Sequence, residues 1–284
     1  MTSPVSPTIA SINCILRSGK TLAEVALQQA LMLAAYHGAH LSVAISTQHL
    51  TTPYSPIWMS LPASLTADLN AKSKAMAVAA VETARDAARI AGVIADIHEM
   101  MDRGGDAAEA AARAARASDI IVVDQPDAVL DAKAAIFEEA LFRSGRPVLV
   151  ATPKRAPVQN MTKAMLAWDG TSHAARAAGD MMALFRNIKH VDIVSVMGDK
   201  DMSATLPGAD LARHLSRKGI AVNIVELSSS DGPVAELLDG HATKIRADII
   251  AMGGYGHSRL RQFVMGGVTS SIIRTASTPL LMSY

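Results

Sequence analysis

The chain repeats itself at half its length. In its 284 residues the segment SDIIVV from Ser118 returns as ADIIAM from Ala247, so Asp119 and Asp248 stand 129 residues apart. RPVLVA from Arg146 returns as TPLLMS from Thr278, with Pro147 and Pro279 132 apart. His40 and His190, each opening an apolar run, are 150 apart. Self-similarity at such a period marks a duplicated structural unit. The offset shrinks along the chain because the first copy has the longer middle. Residues 64–91 read as one long Ala-rich helix, whereas the counterpart at 209–218 is short.

Each copy reads β-α-β-α-β-α-β-α-β. In the second copy the strands are expected near 163–168, 190–196, 221–227, 248–252 and 279–282, and Ala174, Ala178, Met181, Met182 and Phe185 recur at helical spacing between the first two. In the first copy residues 12–16 read as a strand, 22–36 as an apolar-striped helix and HLSVAIS from His40 as the next strand. Strands alternating with helices imply parallel pairing through right-handed crossovers. Their near-continuous apolar runs suit a sheet covered on both faces. The expected fold is therefore α/β: two tandem domains, residues 1–152 and 162–284, each an open five-stranded parallel sheet with helices on both faces, Rossmann-like in plan. The segment TPKRAPVQNM, 152–161, carries two prolines and a polar tail and reads as the linker.

Half of the residues are hydrophobic and 19% are charged, enough apolar matter for two cores. The net charge is +1 and no basic block stands out, so neither a nucleic acid nor a charged membrane surface is called for as partner. Cys14, the single cysteine, has no partner for an internal disulfide, which fits a reducing compartment. MTSPVSPTIASIN lacks a basic segment followed by an apolar run, and no apolar stretch reaches the ~20 residues that span a bilayer. A cytoplasmic location is expected.

The chemistry is concentrated after the second ADII-type strand. There the chain continues GGYGHSRLRQFVMGGVTSSIIRTAS. Gly253 and Gly256 bracket two residues, nine more precede Gly266, and Gly267, Val268 and Thr269 then open an apolar helix. Glycines let backbone N–H groups approach an anion closely, and a helix N-terminus adds unpaired donors and partial positive charge. At the carboxyl end of a parallel strand, where open α/β sheets bind ligands, this forms a phosphate cradle to which Thr269 can add a hydroxyl. A lone glycine pair would serve an ordinary turn equally well. Two clusters around a fixed spacer, between a strand and a helix, argue for the cradle.

Gly253-x2-Gly256-x9-Gly266 resembles the ATP-binding signature of universal stress proteins, G-x2-G-x9-G-(S/T), and the repeat over both halves resembles tandem members of that family. One departure stands out: Gly267 occupies the Ser/Thr position, so a hydroxyl is missing there while its N–H remains. The resemblance implies ATP or another adenine nucleotide as ligand, with or without Mg2+. It places Asp169, in AWDGTS, on the ribose and adenine, Ala167 and Val196 along the adenine, and Met252 beneath the nucleotide; His257 and Arg259, which follow the first glycines, are within sequence reach of a phosphate. Read on its own, Asp169 is as well explained as a neighbour of a helix cap formed with Thr171 and Ser172. Ala167, Val196 and Met252 read as core, and His257, Arg259 and Arg261 as solvated loop positions.

The first copy lacks this apparatus. After 119–123 it continues DQPDAVLDAK, in which Asp124, Asp127 and Asp131 would repel phosphate and Pro126 removes an amide donor. The position matching Asp169 is Gly19 by the 150-residue offset. The first site is thus expected to be degenerate, with its domain serving to pair with the second as a pseudo-dimer. Because the strand ending occurs there without glycines, the fold itself is not expected to require them. Gly19-Lys20-Thr21 resembles the end of a phosphate loop, but Cys14 stands where its first glycine belongs, and Arg259 breaks a dinucleotide fingerprint begun at Gly254. None of the nine histidines falls in a metal-binding pattern. Asp231-Gly232-Pro233 reads as a turn before the third helix of the second copy, with Asp231 a candidate for its cap.

The function these features imply is a stress-response protein that binds an adenine nucleotide in its second domain and acts as a binding or regulatory module, with association of two chains open. The alternatives are a slow ATP hydrolase or phosphotransferase, and a scaffold without nucleotide. No residue stands out as a catalytic base.

Overall fold

A computed structural model describes residues 8–18, 25–49, 63–102, 106–128, 131–198, 208–254 and 267–284. In chain order the first half contains β1 (Ser11–Arg17), α1 (Val25–His37), β2 (His40–Gln48), α2 (Ala63–Ala91), β3 (Ala95–Asp102), α3 (Asp106–Ala114), β4 (Ile120–Asp124), α4 (Ala132–Arg143) and β5 (Val148–Ala151). The second contains β6 (Lys163–Ala167), α5 (Ser172–Leu184), β7 (His190–Met197), α6 (Gly208–Arg217), β8 (Ala221–Ser228), α7 (Val234–Lys244), β9 (Ile249–Gly253), α8 (Gly267–Thr275) and β10 (Leu280–Ser283). Every expected strand of the second half is present within a residue or two of its expected bounds.

Among the described residues ten strands form one sheet in the order β3-β2-β1-β4-β5-β10-β9-β6-β7-β8. Within each half all pairs are parallel, and the halves mirror each other across the single antiparallel pair, where Leu280, Leu281 and Met282 of β10 face Val150, Leu149 and Val148 of β5. One face is covered by α1, α2, α5 and α6 through Leu27, Leu33, Ala84, Met181 and Leu215. The other is covered by α3, α4, α7 and α8 through Ala111, Phe137, Leu238 and Ile273. Alanine is frequent on the inward faces of these helices, which lets them approach the sheet closely and lets a core form with few aromatics. Cys14 lies wholly buried in β1.

The repeat noted in the sequence has a local cause. Asp119 Oδ2 accepts the amides of Ala10 and Ser11 at 2.7 and 3.0 Å, and Asp248 Oδ2 accepts those of Thr162 and Lys163 at 2.9 and 3.0 Å. In both halves the aspartate before the fourth strand therefore fixes where the first strand enters the sheet, satisfying donors at its start. This lock sets the true correspondence between the halves. Ile12 pairs with Ile120 as Ala164 pairs with Ile249, so the first strands match at an offset of 152 rather than 150. Arg17, not Gly19, therefore corresponds to Asp169, and Ile15 to Ala167. Gly19 itself lies outside the described residues. The 150-residue offset relates β2 to β7, because the stretch between the first two strands is longer in the first half than in the second.

The linker residues lie against both halves. Gln29 of α1 exchanges two hydrogen bonds with the backbone of Val158, at 2.8 and 3.0 Å, and Arg155 reaches Asp248 at 3.2 Å. Asp231 is not the cap of α7. It lies in a short 3-10 turn, Ser229–Asp231, and α7 starts after Pro233, which caps it without a side-chain bond. Proline's fixed φ and missing N–H already suit that entry.

Candidate functional site

Three adjacent strands of the second half, β9, β6 and β7, end side by side. Ala167 pairs with Met252 on one side and Val194 on the other. Side chains alternate along a strand, so Ala167, Val196 and Met252 all point to the sheet face that carries α7 and α8, and all three pack with its apolar cluster. Met252 is buried, and Ala167 and Val196 are half-buried at the strand ends. The two residues expected along an adenine and the one expected beneath the nucleotide thus share one sheet face. In the first half the corresponding positions are Ile15, Ser46 and Val123, with a fully buried isoleucine in place of the small alanine.

Asp169 follows one residue after Trp168, whose amide continues the β6–β7 pairing by donating to the Val194 carbonyl at 2.8 Å. Its Oδ1 accepts from the Thr171 amide at 3.1 Å and from the Thr171 hydroxyl at 2.7 Å. Thr171 in turn caps α5, its Oγ accepting from the Ala174 amide at 3.3 Å. The cap-neighbour role is therefore present, and it holds the carboxylate at the carboxyl end of β6.

Gly253 closes β9 and faces the first turn of α5. A Cβ there would lie 2.7 Å from the Ala174 nitrogen and 2.8 Å from the His173 carbonyl carbon, so no side chain fits without backbone movement. This corrects the expectation that the fold has no use for these glycines: Gly253 is what allows α5 to sit this close to the strand. In the first half the corresponding residue is Asp124, and its carboxylate meets the facing helix with a hydrogen bond from the Ala26 amide at 3.0 Å. Burial drives the Asp124 pKa up to about 6, opposed by the Ala26 hydrogen bond and by Lys133, with Asp127 adding to the rise. Burial, with Asp124 beside it, also pushes the Cys14 thiol up.

Gly267 opens α8, and a Cβ at that position would meet nothing within 4 Å. Val268 is exposed beside it, and Thr269 is buried in the first turn. Gly256, His257 and Gly266, with Arg259 and Arg261, lie outside the described residues. Sequence reasoning passed over His173 and Tyr284. The His173 ring, beside Gly253, stacks on Tyr284 with centroids 4.5 Å apart, and Tyr284 meets the edge of Phe142 from α4 at 4.8 Å. No local pattern announces this pairing, because its members come from three distant segments.

On the opposite face, a groove of about 300 Å³ runs between α5 and α6, lined by Trp168, Met182, Leu211, Leu215 and His214. It lies across the sheet from Ala167 and Val196. Among the described residues no helix is long and apolar enough to cross a membrane.

The sequence pattern of the universal stress protein family matches residues 161–283. The second half of this chain is thus similar to a universal stress protein domain. A universal stress protein from Synechocystis sp. is 27% identical over 155 residues, covering 50% of this chain and 49% of the relative. The chain thus spans about half the length of that relative. A universal stress protein from Archaeoglobus fulgidus superposes over 97% of this chain and 96% of its own with a TM-score of 0.71 at 17% identity. A protein of unknown function from Pseudomonas aeruginosa covers 99% and 94% with a TM-score of 0.59 at 15% identity. At such identities these likenesses establish the fold over both halves. The first half thus shares the architecture of a universal stress protein domain, with Asp124 and Gln125 at the end of β4 where the second half has Gly253 and Gly254.

Proposed function

We propose that the second half binds an adenine nucleotide and that the chain acts as a binding or regulatory module in stress physiology. The observation that carries this reading is the convergence of Ala167, Val196 and Met252 on one sheet face at adjacent strand ends, where Gly253 closes β9. The base would lie against Ala167 and Val196 with Met252 beneath it, and Asp169 would address the ribose. Gly253, Gly256 and Gly266, with the amides of Gly267, Val268 and Thr269 at the start of α8, would hold the phosphates, and His257 would lie near them. The small side chain of Ala167 and the open space at Gly267 fit such a ligand. A cytoplasmic location agrees with the lone buried Cys14.

The first half is proposed to carry a site that takes no nucleotide. Ile15 fills the place of Ala167, Arg17 replaces Asp169, and the Asp124 carboxylate already occupies the donor at the start of α1. Its role is then that of an internal partner, the two halves forming a pseudo-dimer through β5 and β10.

Calorimetric titration of the purified chain with ATP, ADP and AMP tests the binding, and phosphate release tests for turnover. Saturable binding with hydrolysis well below one per second is expected. Turnover of several per second would replace the binding module with an ATP hydrolase. One observation favours a scaffold without nucleotide: Gly253 and Asp169 each already have a structural task. Absence of heat with all three nucleotides would decide for that reading.

A further inference from the structure

The helix whose N-terminus is proposed to hold the phosphates is gripped at its other end by the first half of the chain. The carbonyl of Ala276, immediately after α8, is fully buried. It accepts a hydrogen bond from Gln125 Nε2 at 3.0 Å, across 151 residues of sequence. Thr152 Oγ lies 3.0 Å from the same carbonyl and 3.1 Å from Gln125 Oε1, so its one hydrogen serves either acceptor. Lys154 Nζ donates to the Thr275 carbonyl at 2.6 Å, a cation at the negative end of the helix. Gln125 and Thr152 are themselves buried.

Gln125 is the residue that corresponds to Gly254. Both amides donate to the neighbouring last strand, Gln125 to the Ala151 carbonyl at 3.0 Å and Gly254 to the Ser283 carbonyl at 2.8 Å. A side chain on Gln125 therefore reaches into the second half, and nothing can reach back from Gly254. A helix of nine residues is not stable by itself in water, so its position depends on such anchors. The Ala276 carbonyl just past its end is buried and requires a partner.

We infer that Gln125, supported by Thr152 and Lys154, is a positioning residue for α8, so that the first half of the chain presets the nucleotide-binding end of the second. The pair that replaced two glycines at the end of β4 thus does two jobs. Asp124 closes the first site from within, and Gln125 turns the degenerate half into a strap on the working one. This rests on the proposed nucleotide reading for its functional consequence, but the grip on α8 is tested independently.

The test uses the full chain and three variants. Gln125→Met keeps the length of the side chain and removes its donor and acceptor. Thr152→Ser keeps the hydroxyl, and Thr152→Val removes it as a second route should Gln125→Met fold poorly. Hydrogen exchange of the 268–276 amides is followed without nucleotide, and ATP affinity is measured by calorimetry. Gln125→Met and Thr152→Val should speed exchange in α8 by about tenfold while leaving β1 and β2 unchanged, and should weaken ATP binding roughly five- to tenfold. Thr152→Ser should match the wild type in both. Unchanged α8 exchange in Gln125→Met and Thr152→Val overturns the inference, as does faster exchange with undiminished ATP affinity. A wild type that fails to bind ATP sinks the nucleotide reading instead, and the exchange data then decide the grip on their own.

Discussion

The carboxylate of Asp124 accepts the Ala26 amide at 3.0 Å, while at the corresponding place in the second half Gly253 brings bare backbone within reach of α5. The two halves of one duplicated fold thus solve the same junction oppositely, one with an internal anion and one with an absent side chain. The proposed functional asymmetry of the chain rests on this pair of positions.

The buried Asp124 gives stability a definite pH dependence. Its pKa rises from 3.8 to about 6 on folding, first through burial. Between these values the folded state holds a proton that the unfolded state has released, so stability contributed at low pH is lost as pH rises through about 6. Asp124→Asn keeps an oxygen for Ala26 and has no proton to lose. Urea titrations from pH 4 to 8 should show the variant gaining on the wild type by roughly 2–3 kcal/mol at the upper end. A constant difference across that range would contradict the assignment.

A second buried acidic side chain lies in the same strand as Val196. Asp192 in β7 is held by His241 Nε2 at 2.9 Å and by Asn223 Nδ2 at 3.0 Å, beneath α7. Removing the imidazole leaves a buried carboxylate with too few donors. His241→Ala should cost about 3 kcal/mol of unfolding free energy, and Asn223→Ala about 1 kcal/mol. Chemical denaturation measures both, and a loss below about 0.5 kcal/mol for His241→Ala would show that the pair holds nothing together.

At Gly253 even a methyl group collides with the backbone of α5. Gly253→Ala should lower stability by about 1–3 kcal/mol and loosen the start of that helix, seen as faster exchange at Ala174 and Ala175. Wild-type stability in this variant would mean that the helix is not held as close as the structure has it.

Gly267 is the reverse case, since a side chain there enters open space. Gly267→Ser should fold normally and return the hydroxyl that the family signature carries at this position. ATP affinity should rise by about threefold to tenfold, the worth of one added hydrogen bond to a charged oxygen. Unchanged or weaker binding would place the phosphates away from the start of α8.

Much of the fold was legible because its signals are local. The apolar strands, the long α2 and short α6, and the paired Asp119 and Asp248 all follow from composition and period. The grouping of Ala167, Val196 and Met252 was implied by the family resemblance, and the order β9-β6-β7 puts them at adjacent strand ends. What the sequence hid depends on close or distant contact. The two-residue slip that matches Arg17 to Asp169 is set by hydrogen bonds from Asp119 to the start of β1, not by sequence spacing. The steric need for Gly253 comes from a helix 80 residues earlier, and the reach of Gln125 to Ala276 spans the two halves. Asp231 failed as a cap because Pro233 already shapes the entry to α7.

The central claim is that one half of this chain binds nucleotide and the other does not. Isothermal titration of the full chain with ATP, wild type beside Gly256→Val, tests it most directly. One nucleotide per chain, abolished in the variant, is the predicted result. Two nucleotides per chain, or equal binding by the two proteins, would contradict the account.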